Sequence, residues 1–270
     1  VSDIIVEEPR PHVTLLTLNR PEALNAFTSE TIDELFSIFD RLTHDANCRV
    51  VVLTGAGKGF CAGHDIKVHD SGPKWLDPDL GAMQSHMFQQ KHLATMVGRM
   101  RAMPQPIIAA INGAVAGGGY PLALGADLRI ASSTAKFRDA FIRTLGASGC
   151  EMGLSWLLMR SIGFTRAAEL LLTGRDLGAE EAERIGLVLK VVPPDQLLDA
   201  AYELADQILL NNPFSVWMTK ATMWSVLETP SLETAIDLEA RTQMVTIGTL
   251  DQQEQSNAFH ERRPAVYNNR

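Results

Sequence analysis

The feature that most restricts the fold is an early switch between two residue periods. Val13–Leu18 is a short apolar run with β-branched residues, stopped by Asn19-Arg20-Pro21, and a run of that length bounded by turn residues reads as a strand. Thr28 then stands where a helix cap belongs, and Ile32, Leu35, Phe36, Phe39 and Leu42 recur at helical spacing. Val50-Val51-Val52-Leu53 reads as a second, buried strand closing on Thr54-Gly55. Strand, helix and strand in this order imply a parallel pair joined by a crossover, so the chain is expected to be α/β.

The rest of the chain extends that scheme. Residues 55–82 are rich in Gly, Asp, His and Pro, show no period, and read as a loop that carries function or mobility. A helix follows whose stripe of Met87, Leu93, Met96, Val97, Met100 and Met103 is expected to pack in the core, since methionine fills irregular gaps there. After Pro104 and Pro106 come a third strand, Ile107–Ile111, then Asn112-Gly113, the triplet Gly117-Gly118-Gly119, and Pro121 in the first turn of a helix. A fourth short strand is expected at 128–131. Beyond Gly163 the pattern is helical at 165–172, 179–185, 194–210, 213–227 and 230–247, with one strand at 187–192. The expected organisation is a core over residues 1–192 and a C-terminal helical subdomain over 193–270.

The chain's 270 residues, with 46% hydrophobic and 21% charged content, can bury a large core, so neither disulfide nor structural metal is needed for stability. Cys48, Cys61 and Cys150 are odd in number and widely spaced, which argues against a disulfide framework and for a reducing compartment, hence a cytoplasmic protein. The formal charge of −8, from 32 acidic against 24 basic residues without a basic cluster, makes nucleic acid a poor partner. The acidic N-terminus does not resemble a signal peptide, and no apolar run is long enough to span a membrane.

Two segments carry chemistry. Three glycines between a strand and a helix let backbone approach a ligand closely, and the first N–H groups of the helix, lacking internal partners, point outward with the helix dipole behind them. A tight turn that packs helix on strand would use the same residues. The triplet lacks the dinucleotide spacing, because Leu122 stands where the third glycine belongs, and Gly55-Ala56-Gly57-Lys58-Gly59 lacks the P-loop pattern. The second segment, Lys58-Gly59-Phe60-Cys61-Ala62-Gly63-His64-Asp65-Ile66-Lys67, also follows a buried strand.

These segments, with Asn19-Arg20-Pro21, Asn25-Ala26, the strand from Pro106, Leu172-Thr173-Gly174 and Glu261-Arg262-Arg263-Pro264, resemble the enoyl-CoA hydratase/isomerase family, the crotonases. The similarity runs from about Val6 to Tyr267. It implies the crotonase fold, a spiral of ββα turns with a C-terminal helical layer, commonly assembled as a homotrimer or a dimer of trimers. It implies an oxyanion hole from the backbone N–H groups of His64 and Gly118, and an acyl-CoA thioester as the bound partner. Coenzyme A would lie along Ala62, His64, Asp65, Ile66, Lys67, Gly117 and Gly118, with an arm from Arg262 or Arg263 of this or a neighbouring subunit. Since coenzyme A is part of the substrate, no further cofactor is expected.

The resemblance fails at the usual acid–base groups. Hydratases of the family carry a glutamate two residues past the glycine triplet, where this chain has Pro121, and a second one at a position matching Phe141, Ile142 or Arg143. Two acidic residues remain nearby. Glu151 resembles the acidic residue of the family's dienoyl-CoA isomerases and is the first candidate acid or base; alternatively it complements the dipole of the helix containing Leu154 to Leu158. Asp139 is the weaker candidate, an exposed loop aspartate being the ordinary case. His64, His69, His86 and His92 cluster in sequence, but His86 and His92 are six apart and fall on different helix faces, so no metal is expected. Cys61 and Cys150 have no base beside them and read as inert small hydrophobes. The expected activity is a lyase, nominally an enoyl-CoA hydratase. Two alternatives stand beside it: an enoyl- or dienoyl-CoA double-bond isomerase using one carboxylate, and a non-catalytic acyl-CoA-binding homologue.

Overall fold

The computed structural model describes residues 2–67 and 72–268. In chain order its elements are β1 (Ile4–Arg10), β2 (Val13–Leu18), α1 (Ser29–Thr43), β3 (Val50–Gly55), β4 (Gly59–Cys61), α2 (Ala82–Ala102), β5 (Ile107–Ile111), β6 (Ala114–Ala116) and α3 (Gly119–Gly125). There follow β7 (Leu128–Ser132), β8 (Lys136–Arg138), α4 (Leu154–Ile162), α5 (Phe164–Thr173), β9 (Leu177–Gly178), α6 (Ala179–Arg184) and β10 (Lys190–Val192). The C-terminal helices are α7 (Leu197–Leu209), α8 (Pro213–Val226), α9 (Leu232–Ile247) and α10 (Leu250–Glu261).

The strands form two sheets, ordered β1-β2-β3-β5-β7-β10 and β4-β6-β8-β9. Units β3–β4–α2 and β5–β6–α3 each give one strand to each sheet and then a helix, and β7–β8 begins a third such turn. Within the larger sheet every pair is parallel except β1 with β2, and the expected β2–β3 crossover through α1 is present with Val13 opposite Val50. Thr28 caps α1, its hydroxyl accepting from Thr31 N–H.

The unbroken apolar runs of β3 and β5 follow from burial on both faces. Val51, Leu53, Ile107, Ala109 and Ile111 face a core shared with Leu35, Phe39, Met96 and Met100. Their neighbours Val50, Val52, Ile108 and Ala110 pack against Leu197, Ala201, Tyr202 and Ala205 of α7. In α8, Lys220 is buried, its ammonium 2.9 Å from Asp127 Oδ2 and donating to the carbonyls of Met100 and Gln105 at 2.9 and 2.8 Å. Asp127 also accepts from Ile107 N–H at 2.8 Å and from the Trp224 indole N–H at 2.7 Å. One ion pair thus ties α8 to the start of β5.

Several sequence expectations need correction. The 55–82 segment contains β4, three residues long and too short to display a period. Met87 is 53% exposed while Leu93, Met96, Val97, Met100 and Met103 are buried, so the stripe enters the core only in the second half of α2. The strand expected at 187–192 is confined to β10; Leu187 and Val188 are buried in the approach to it. Residues 194–196 form a 3₁₀ turn ahead of α7. Neither β1 nor α10 stands out in sequence: β1 is a largely exposed edge strand, and α10 is mostly polar. No helix among the described residues is long and apolar enough to cross a membrane.

Candidate active site

The loop after β3 is held by side chains from the β2–α1 connection. Asn25, 2% exposed, accepts from Arg20 N–H at 2.9 Å and donates to the carbonyls of Ala56 and Gly59 at 3.0 and 2.8 Å. Arg20 in turn donates to Asp65 Oδ2 at 2.9 Å, and Asp65 Oδ1 accepts from Lys67 N–H at 3.1 Å. The Asn-Arg-Pro and Asn-Ala motifs therefore anchor the Phe60–Ile66 segment, and the Asp65 carboxylate is occupied by that task.

Phe27 forms a parallel bridge with His64. Phe27 N–H donates to Gly63 C=O at 2.7 Å, and Asp65 N–H donates to Phe27 C=O at 2.8 Å. Because C=O and N–H of a trans peptide point oppositely, the His64 N–H faces away from the bridge. The glycine triplet lies against this strand: a Cβ on Gly63 would sit 2.6 Å from Gly118 N, and Gly63 itself has φ +86°. Gly118 caps α3 and Gly117 turns the chain with φ +48°. The three glycines differ in their reasons. A Cβ on Gly119 would stand 2.1 Å from Cys61 O, whereas the nearest atoms to one on Gly118 would be Met152 Sδ at 3.4 Å, Phe27 Cε2 at 3.6 Å and Gly63 Cα at 3.7 Å, ordinary contact distances. Close packing accounts for Gly119, and leaves Gly118 unexplained by space.

His64 and Glu151 line one cavity of about 280 Å³, together with Ile66, Gln90, His92 and Phe141. Glu151 is half-buried. Its Oε1 accepts from Gln90 Nε2 of α2 at 2.8 Å, and its Oε2 is buried with no hydrogen-bond partner among the described residues. Burial pushes its carboxyl above the usual glutamate range, the Gln90 hydrogen bond and the nearby His64 oppose that, and Asp139 adds to it. The carboxylate makes no capping hydrogen bond to α4: that helix is capped by Gly153 with no side-chain bond, and it is the Glu151 carbonyl that accepts from Leu154 N–H.

A family model described as enoyl-CoA hydratase/isomerase matches residues 8–270. The chain belongs to that family. It is 43% identical over 270 residues to the Mycobacterium tuberculosis H37Rv protein named "Probable enoyl-CoA hydratase EchA12", covering 99% of this chain and 93% of the relative. It is also 37% identical over 257 residues to the Escherichia coli K12 protein named 1,2-epoxyphenylacetyl-CoA isomerase, covering 95% of each. The crystal structure titled as a probable enoyl-CoA hydratase/isomerase from Mycobacterium abscessus matches with a TM-score of 0.92 and 40% identity over the whole of both chains. The two-sheet spiral is the crotonase fold.

Within this enoyl-CoA hydratase/isomerase, the candidates separate. His64, Ile66 and Glu151 share the cavity wall, and Phe141, one of the three residues that could match the second family glutamate, lies there too. Pro121 is buried in α3. Asp139 is not an exposed loop residue but 2% exposed, outside the cavity wall. Its Oδ1 accepts from Phe141 N–H at 3.1 Å, so it shapes the π-helical turn Phe141–Leu145, and burial raises its carboxyl. His86 and His92 do line the same cavity despite their six-residue spacing, and His92 is paired with Asp33 at 2.8 Å. His69 lies outside the described residues. Among the described residues no group of three or more metal-ligating side chains comes together. Cys61 is fully buried and its thiol is pushed up to about 12 by desolvation, whereas Cys150 is exposed. Arg263 is engaged by Glu254 and Glu261 within its own chain. Sequence reasoning missed Gln90, which lies 61 residues from Glu151 and carries no motif.

Proposed function

We propose that this family member converts an enoyl-CoA through a thioester enolate held by the N–H groups of His64 and Gly118, with Glu151 moving the proton. The observation that carries the reading is the raised, half-buried Glu151 carboxyl in the cavity lined by His64. In hydration, water oxygen bonds to the β-carbon, its proton passes to the Glu151 carboxylate, and the double-bond electrons move to the thioester oxygen. Glu151 then returns the proton to the α-carbon. Backbone donors suit this step because they are in place before charge develops. A double-bond shift is the second reading, favoured by Pro121 in place of one usual glutamate and by the lack of a carboxylate at Phe141, Ile142 and Arg143, where the other would match. There Glu151 takes the α-proton of a 3-enoyl-CoA and delivers it to the γ-carbon. Coenzyme A enters as part of the substrate, with no other cofactor. The proposed setting is the cytoplasm, with which three free cysteines accord. A homotrimer or dimer of trimers accords with the exposed Leu232, Ile236, Met244 and Val245 of α9.

Incubation with crotonyl-CoA, a 3-enoyl-CoA and a dienoyl-CoA tests the reading. Slow hydration with faster double-bond migration supports the isomerase; turnover of none of the three sinks both readings and leaves an acyl-CoA-binding homologue. The backbone donor has its own test. Gly118→Val crowds Met152 and Phe27 and displaces the 118 N–H, so turnover should fall about 100- to 1000-fold with circular dichroism unchanged. Gly119→Ala, with Cβ on a carbonyl, should fail to fold properly. Equal loss of structure in both variants would assign the whole triplet to packing.

A further inference from the structure

We infer that Gln90 is a positioning residue for Glu151, orienting its carboxylate. The inference rests on Glu151 being the proton carrier proposed above. The Glu151 side chain crosses from the loop before α4 to reach α2, where Gln90 Nε2 donates to Oε1 at 2.8 Å; Oε2 is buried and has no partner among the described residues. One amide is therefore the hydrogen bond that fixes the rotation of this carboxyl group. The amide has no titration of its own, so it keeps its donor role at every pH.

Its second effect is electrostatic. Desolvation favours the neutral acid, and a hydrogen bond donated to the carboxylate favours the anion. Without Gln90 the carboxyl would hold its proton to still higher pH, and a base that is protonated at working pH is idle. Gln90 is exposed and sits on the half of α2 that does not enter the core, so changing it leaves packing intact. A residue that faces solvent yet donates to a half-buried carboxylate in the cavity has a role that fold stability does not explain.

The assay is exchange of the α-protons of butyryl-CoA in D₂O, followed by mass spectrometry across a pH series. Glu151 takes the α-proton, the C–H electron pair moves onto the thioester oxygen, and a deuteron returns to the carbon from the solvent-exchanged carboxyl group. This readout needs no knowledge of the natural acyl chain. Gln90→Leu should slow exchange about tenfold, the weight of one hydrogen bond to a charged group, and move the acid limb of the profile to higher pH. Gln90→Lys should move that limb to lower pH, because a cation there favours the carboxylate. Opposite shifts are not produced by a merely structural residue. If Glu151→Gln stops exchange while both Gln90 variants keep the wild-type limb, the role of Gln90 is wrong and Glu151 stands; if Glu151→Gln exchanges normally, both fall.

Discussion

Glu151→Gln is expected to lower turnover of whichever enoyl-CoA the enzyme accepts by about 100- to 10,000-fold, the usual weight of a positioned general acid–base group. The amide keeps the size of the side chain and its acceptor oxygen, so the bond from Gln90 can persist. What disappears is the ability to take and return a proton. The fold should not suffer. A carboxyl whose native pKa is raised binds more protons in the folded than in the unfolded chain, from the ordinary glutamate value up to the raised one. Across that window stability falls as pH rises. Glutamine removes this dependence, so the variant should be at least as stable as the parent near neutral pH. Rates and urea unfolding on the same preparations check both halves. An unchanged rate would mean that another group reaches the enolate, and a loss of stability would mean that the carboxylate has a structural partner.

Lys220→Met should lower stability by about 3–5 kcal/mol, the range seen when one member of a buried ion pair is removed. The ammonium makes three contacts, to Asp127 and to the carbonyls of Met100 and Gln105, and each would be left without its donor. Asp127 retains Ile107 N–H and the Trp224 indole but loses its counter-charge in a nearly dry site. The midpoint of urea unfolding gives the measure. Lys220→Met combined with Asp127→Asn should recover part of the loss, because removing both charges leaves neither buried alone. A single variant as stable as the parent would show that α8 is held by apolar contact only.

The fold was legible in the sequence where burial was two-sided. β2, β3 and β5 announce themselves through apolar runs, and α1 through its cap and stripe. The second sheet was hidden because β4, β6 and β8 are three residues each, and three residues cannot display an alternation. The edge strand β1 was hidden because it is mostly exposed and charged. In the site, the glycine triplet and the Phe60–Ile66 loop could be found because backbone requirements restrict residue type. Glu151 could be proposed only by resemblance, since its setting is made by α2 folding across it. Asp139 was misjudged for the same reason: burial of a loop residue depends on Gly149, where a Cβ would come within 1.9 Å of its carboxylate. Gln90 could not be seen at all, because an exposed glutamine on a polar stretch of helix has no sequence signature until its partner is placed.

The bridge between Phe27 and His64 separates two properties within one residue. The amide that points away from the bridge is oriented by main-chain bonds of its neighbours, Gly63 and Asp65, and owes nothing to the imidazole. The imidazole meanwhile forms part of the cavity wall and biases Glu151 towards its anion. Position 64 can therefore change its side chain, and with it the shape and polarity of the cavity wall, while the N–H proposed as oxyanion donor stays oriented by the same main-chain bonds. A change of substrate preference at this position need not begin with a loss of catalysis.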